Sequence, residues 1–238
     1  MSTTQARPRT IGALFIAATF ASVLGLIVLG SSLDDPGYLT NAAADETRVT
    51  IVALLDLIAA ALIVAIAVMM FPVLTRHSAG IAVGYVAARL VEATITVVGT
   101  VGLLSVLTLS QEYVQTGASN PSTFEPLGPV LLAVRDWTDV IGAQTAFALS
   151  ALILNASFYE TRLVPRFISV WGFLGGVLAL VAGLVGLFSR DPFSAVSIVL
   201  ILPIAVNEMV LAVWLIVRGF TLTATFAEPG NRGVADRA

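Results

Sequence analysis

The stretch I-A-V-G-Y-V-A-A-R-L-V-E-A-T-I-T-V-V-G-T-V-G-L-L-S-V-L-T-L, from Ile81 to Leu109, decides the fold. It exceeds the roughly 20 apolar residues that carry an α-helix across about 30 Å of hydrocarbon, and is long enough to span a bilayer with tilt. Arg89 and Glu92 stand inside it, and Tyr85, Arg89, Glu92, Thr96 and Gly99 recur at steps of four and three. That spacing places them on one face of a helix. An ionised side chain at a helix centre costs about 2.5–3.5 kcal/mol on insertion scales. The face is therefore expected to turn inward, towards charges on neighbouring spans.

Outward from this run, the same reading finds five more, giving expected spans at 11–30, 49–74, 81–109, 129–158, 167–188 and 193–217. Residues 1–10 and 221–238 are polar ends, and 11–220 is one membrane domain with no room for a separate soluble one. The first run is longer than the 7–15 residues of a secretory core, so it is expected to be a retained helix. The fourth begins with Arg135, Asp136, Trp137 and Asp139 and is polar over its first third. Ser110 to Gly128 has the composition of a loop. The expected fold class is all-α, a six-helix polytopic bundle.

Composition excludes much else. Of 238 residues 58% are hydrophobic and 11% charged, with a net charge of -3 and a mean hydropathy of +0.96, whereas soluble chains are about a quarter charged. No basic excess serves a nucleic acid. With no Cys, disulfides and thiolate metal sites are out. All 12 basic residues are Arg, which removes a Schiff-base lysine and the lysine of a phosphate-binding loop. A lone His77 builds neither bis-His haem ligation nor a two-His zinc helix. No cofactor and no metal are expected.

Cytoplasmic loops keep the excess of basic residues. With the N-terminus inside, Arg7, Arg9, Arg76, Arg162, Arg166, Arg218, Arg232 and Arg237 fall inside, and Arg48 and Arg190 outside. The acids run the other way, with Asp34, Asp35, Asp45, Glu46, Glu112, Glu125 and Asp191 outside and Glu160, Glu228 and Asp236 inside. Both termini are expected in the cytoplasm.

Seven ionisable residues fall within the spans: Asp56, Arg89, Glu92, Arg135, Asp136, Asp139 and Glu208. Asp56 sits on a face with Ala53, Ala60, Ile63 and Ala67, and Asp136 and Asp139 on one with Ala143, Ala146 and Ser150. Small neighbours permit close helix packing around a polar axis. At about 1.5 Å per residue, the three Asp are expected in the outer part of the bilayer, Arg89 and Glu92 near the middle and Glu208 towards the inner side. Arg89 is the natural partner of Asp56, Glu92 or Glu208. Pro203, five residues before Glu208, frees a backbone carbonyl near this axis. Asp56, Arg89, Glu92 and Glu208 form the candidate cluster, with Arg135, Asp136, Asp139 and Asn207 as secondary polar residues.

The pattern fits three functions. A permease-like protein would carry protons, cations or a small solute through the polar axis; a sensor or assembly module would use the charges as a register-fixing network. An intramembrane lipid enzyme comes third, since no nucleophile with a base and no G-x-S-x-G accompanies the acids. Gly172 to Gly176 is a small-residue pair suited to core packing, and His77 reads as a solvated loop residue. Trp137, Trp171 and Trp214 lie near span ends, where tryptophan anchors are common.

A-R-L-V-E-A at Ala88 to Ala93, R-L-V-P-R-F-I-S-V-W-G-F-L-G at Arg162 to Gly175 and L-P-I-A-V-N-E-M-V-L-A-V-W-L-I-V-R-G-F at Leu202 to Phe220 resemble the bacterial multi-pass membrane family called domain of unknown function 4386. The resemblance covers about Thr10 to Phe220. It implies six helices in a bacterial plasma membrane, with an acid in the second, R-x-x-E in the third and an acid in the last, here Asp56, Arg89 to Glu92 and Glu208. It implies no activity, and the bilayer is the expected partner.

Overall fold

The computed structural model describes residues 8–33, 37–117, 124, 126–189 and 194–221. The charges counted above at Arg7, Asp34, Asp35, Glu125, Arg190, Asp191, Glu228, Arg232, Asp236 and Arg237 lie outside these residues, as do Phe193 and the tail beyond Thr221. Helix α1 is Pro8–Leu29, α2 Tyr38–Ala44, α3 Glu46–Thr75, α4 Ala79–Gln115, α5 Leu127–Thr138, α6 Thr145–Thr161, α7 Arg166–Ser189 and α8 Ala195–Val217, with a π-helical segment Asp139–Gln144 joining α5 to α6. Among the described residues there is no strand.

Helices α1, α3, α4, α7 and α8 are long and apolar enough to cross a membrane. The expected fourth span is the exception. It falls on a continuous helical path that the π segment divides into α5, 12 residues long, and α6, 17 residues long. A π turn carries one extra residue, so side chains after Asp139 leave the strict α-helical spacing of the sequence reading.

One further boundary differs from expectation. Helix α4 continues through Ser110 to Gln115, where a loop is expected; the Ser110 hydroxyl donates to the Val106 carbonyl and is buried. Thr94, Thr96, Thr100, Ser105 and Thr108 likewise donate to carbonyls four residues back, which removes the penalty of a bare hydroxyl in an apolar span. Helix α3 carries Pro72 inside its last turn and ends at Thr75, one residue past the expected bound.

Helix α1 lies against α3 and α8, α4 against α3, α5 and α6, and α7 between α6 and α8. The end of the bundle at the α3–α4 turn is filled: Ile11, Phe15, Met70, Leu74, Tyr85, Phe158, Ile168 and Leu215 belong to one buried apolar cluster. Large apolar side chains such as Phe20, Leu54 and Val68 point outward, as lipid-facing residues do.

Close approach at the filled end depends on Gly12. A Cβ there would meet the Ala212 carbonyl oxygen of α8 and lie 2.8 Å from Ile216 Cγ1. Gly12→Val should therefore pry α1 from α8 and cost about 1–3 kcal/mol, the usual range for overpacking. Thermal unfolding in detergent reads this directly, and an unchanged midpoint would show that α1 and α8 do not meet here.

Candidate functional site

The polar stripe of α4 turns inward. Tyr85, Arg89 and Glu92 are all buried, Arg89 being 3% and Glu92 5% exposed. Arg89 Nη1 donates to both Glu92 oxygens at 3.2 and 3.1 Å, Nη2 to Glu208 Oε1 at 3.4 Å, and Nε to the Tyr85 hydroxyl at 3.2 Å. Thr19 of α1 donates to the other Glu208 oxygen at 3.3 Å. The rings of Phe15, Tyr85 and Phe147 stand 5.7, 5.6 and 5.5 Å from the guanidinium carbon, within cation–π range. Four helices, α1, α4, α6 and α8, thus meet on one guanidinium, whose planar fork serves several acceptors at once.

Two carboxylates face one guanidinium in this triad, so its formal charge is negative when all three are ionised. In an apolar surround such an excess calls for a proton or another cation. Of the three acids that qualify as partners of Arg89 by sequence, Glu92 and Glu208 are the ones paired with it. Glu208 accordingly sits level with Arg89, not below it as expected from counting residues along the spans.

Asp56 belongs to a different feature. A cavity of about 400 Å³ runs from Glu92 towards the α2 end of the bundle. Its wall holds Asp56 of α3, Thr96, Gly99 and Thr100 of α4, Arg135 and Asp136 of α5, and Asp139 and Gln144 of the π segment. Asp56 shares this wall with Thr100, Arg135 and Asp139, and Arg135 lies 3.7 Å from Asp136. A second buried apolar cluster, with Leu29, Leu33, Val49, Leu103 and Val106, fills the α2 end, so the cavity lies between two packed regions, with the Arg89 triad on its α3–α4 side.

The α4–α5 contact that frames this hollow depends on small residues. A Cβ on Gly99 would lie 2.9 Å from the Thr138 hydroxyl, and Gly102 faces the Arg135 backbone at 3.6 Å. Leu131 and Leu132 of α5 pack against the apolar cluster that also holds Leu29 of α1 and Val49 and Val52 of α3. A second hollow, of about 470 Å³, lies at the surface between α1, α2 and α3. There Arg48 pairs with Asp45 at 3.0 Å and bonds Ser32 at 2.8 Å, so its charges answer each other.

Asn207, expected among the secondary polar residues, turns away from the cluster. Its Nδ2 donates to the Ile168 carbonyl of α7 at 2.9 Å, and the residue is buried. His77, expected as a solvated loop residue, lies 2.8 Å from a Glu160 oxygen and ties the α3–α4 turn to the end of α6. Gly172 and Gly176 pack inside the bundle against Asn155 and Leu152.

The sequence reading missed Gln144, Thr19 and Phe147. Gln144 reaches the cavity through the π segment, whose extra residue no spacing rule reports. Thr19 and Phe147 carry no local signal, since a threonine and a phenylalanine in apolar spans are ordinary. Among the described residues no group of three or more His, Asp or Glu side chains comes together to hold a metal ion.

No characterised protein and no solved structure matches the chain. The family described as domain of unknown function 4386 matches residues 10–219, nearly the whole length, including Asp56, the Arg89 triad and all five apolar membrane-length helices. The chain belongs to this family of membrane-type helical proteins.

Proposed function

We propose that the protein is a small, non-enzymatic, permease-like protein of a bacterial plasma membrane, which takes a proton or a small cationic solute into the carboxylate-lined cavity. Asp56, Glu92, Asp136 and Asp139 line that cavity with Arg135, an acid-rich wall that favours positive charge by simple Coulomb attraction in a low-dielectric setting. The observation that carries the reading is this carboxylate-lined cavity of about 400 Å³ between two packed regions of the bundle.

The arginine distribution supports six crossings with both termini in the cytoplasm, the α5–α6 path being one of them. The α2 end is then outside, and the cavity occupies the outer half of the bilayer. Asp56 and Glu92 are the residues assigned to the cation, and Arg89 holds Glu92 and Glu208 in place.

Reconstituted vesicles test this with radiolabelled methylammonium outside and a pH dye inside. Wild-type protein should pass methylammonium or protons faster than protein-free vesicles, and Asp56→Asn and Glu92→Gln should each lower the rate at least tenfold. Flux that is intact in both variants would discard the reading. The dryness of the Arg89 triad favours a second one, a sensor or assembly module with a structural network. It expects no flux, and a lower melting temperature for Glu92→Gln.

A further inference from the structure

On the reading just given, we infer that the cavity opens sideways to lipid between α1 and α8, and that it takes an amphiphile with a primary ammonium head and an apolar tail. The two helices touch at Gly12 and Ala212, and meet at Thr19 and Glu208. Beyond that level the cavity separates them. Leu26 on one side and Ile198 and Leu202 on the other both line it and are exposed, at 60%, 50% and 52%. A side chain that lines a cavity and also faces outward stands at its mouth.

This mouth is apolar and at membrane depth. Leu26 lies seven residues past Thr19 and Leu202 six before Glu208, on the order of 10 Å along each helix, inside the roughly 15 Å half-thickness of hydrocarbon. Pro203 stands at the edge of the gap and leaves the Val199 carbonyl without its helical donor. Helix α7 cannot close the opening, because it is held to the opposite side of α8: Ser197 donates to the Ala182 carbonyl at 3.3 Å, and Gly175 lies against the Ile204 backbone.

The interior calls for a hydrogen-bond donor. Gln144 Oε1 is buried in the cavity wall without a partner, and an unmet buried acceptor costs about 1–3 kcal/mol. Asp56 and Asp139, which line the same cavity, are acceptors without a donor of their own when ionised. An ammonium group supplies both N–H donors and positive charge, whereas a quaternary ammonium supplies charge alone. An apolar tail then leaves through the mouth between Leu26 and the Ile198 and Leu202 side chains.

The chain lacks cysteine, so one introduced thiol reports on the cavity without background. The measurement is the rate at which a maleimide modifies the Thr96→Cys variant in phosphatidylcholine nanodiscs, with n-octylammonium, ethylammonium, octyltrimethylammonium or octyl sulfate present. Octylammonium should slow modification at least tenfold at a concentration where the other three do not, while ethylammonium does so only at far higher concentration. Leu26→Trp and Leu202→Trp, singly or together, should weaken octylammonium protection at least tenfold and leave ethylammonium protection unchanged. Both sites are exposed, and thermal unfolding verifies that each variant is folded.

Equal protection by octylammonium and ethylammonium, indifferent to the tryptophans, would overturn the lateral route and leave the cationic-solute reading intact. Equal protection by octyltrimethylammonium would overturn the donor role assigned to the head group. Absence of protection by either amine, with the thiol reacting freely, would overturn both this inference and the function it rests on.

Discussion

Arg89→Leu should destabilise the protein by about 3–5 kcal/mol, the range for breaking a buried ion pair by removing one partner. The variant leaves Glu92 and Glu208 facing each other with no cation between them, and orphans the Tyr85 hydroxyl bond. Arg89→Lys should recover little, because an ammonium point charge cannot reach Glu92, Glu208 and Tyr85 in the planar fork that these distances describe. Unfolding in detergent measures both. Replacing the whole network, by Arg89→Met with Glu92→Leu and Glu208→Leu, should restore most of the loss, since apolar packing substitutes well for a buried charged group. That triple variant should also be silent in the vesicle assay. A fully stable Arg89→Leu single variant would show that the guanidinium does not hold these carboxylates.

Gly172→Val should cost at least about 2 kcal/mol through overpacking. A Cβ at Gly172 would overlap the Asn155 side-chain amide, which is buried between α6 and α7 and held by its own bond from Nδ2 to the Ala151 carbonyl at 2.9 Å. Asn155 Oδ1 has no hydrogen-bond partner, so trimming this side chain removes an unmet acceptor as well as the obstacle. The double variant Gly172→Val with Asn155→Ala should therefore regain a large part of the loss. A double-mutant cycle reads the coupling between the two positions. Losses that simply add would mean the residues are not in contact, and would count against core packing of the small-residue pair of α7 at this point.

The physical reasons behind these two variants differ in range along the chain. The inward turn of Arg89 follows from an insertion penalty and a spacing of four and three, both local properties of α4. The neighbour of Gly172 does not. Glycines at that spacing allow close approach by any helix, and only packing identifies the partner as Asn155.

The same division runs through the site. Hydropathy and length alone determined that the chain is helical and of membrane type, because backbone polar groups in hydrocarbon must bond within their own segment. They also determined that Asp56, Arg89, Glu92 and Glu208 are the groups to be explained, since each carries a penalty that apolar neighbours do not. Tertiary structure decided which acids Arg89 takes. Glu92 is three residues away and within reach on its own helix, but Glu208 arrives from a span 119 positions later, and its depth depends on how α8 is set against α4. Asp56, equally acidic and on an equally small-residue face, goes to the cavity with Arg135 instead. The π segment that brings Gln144 to that cavity, and the divergence of α1 from α8 that opens it, are outcomes of packing several helices against one another, a many-body balance that no single stretch of residues encodes.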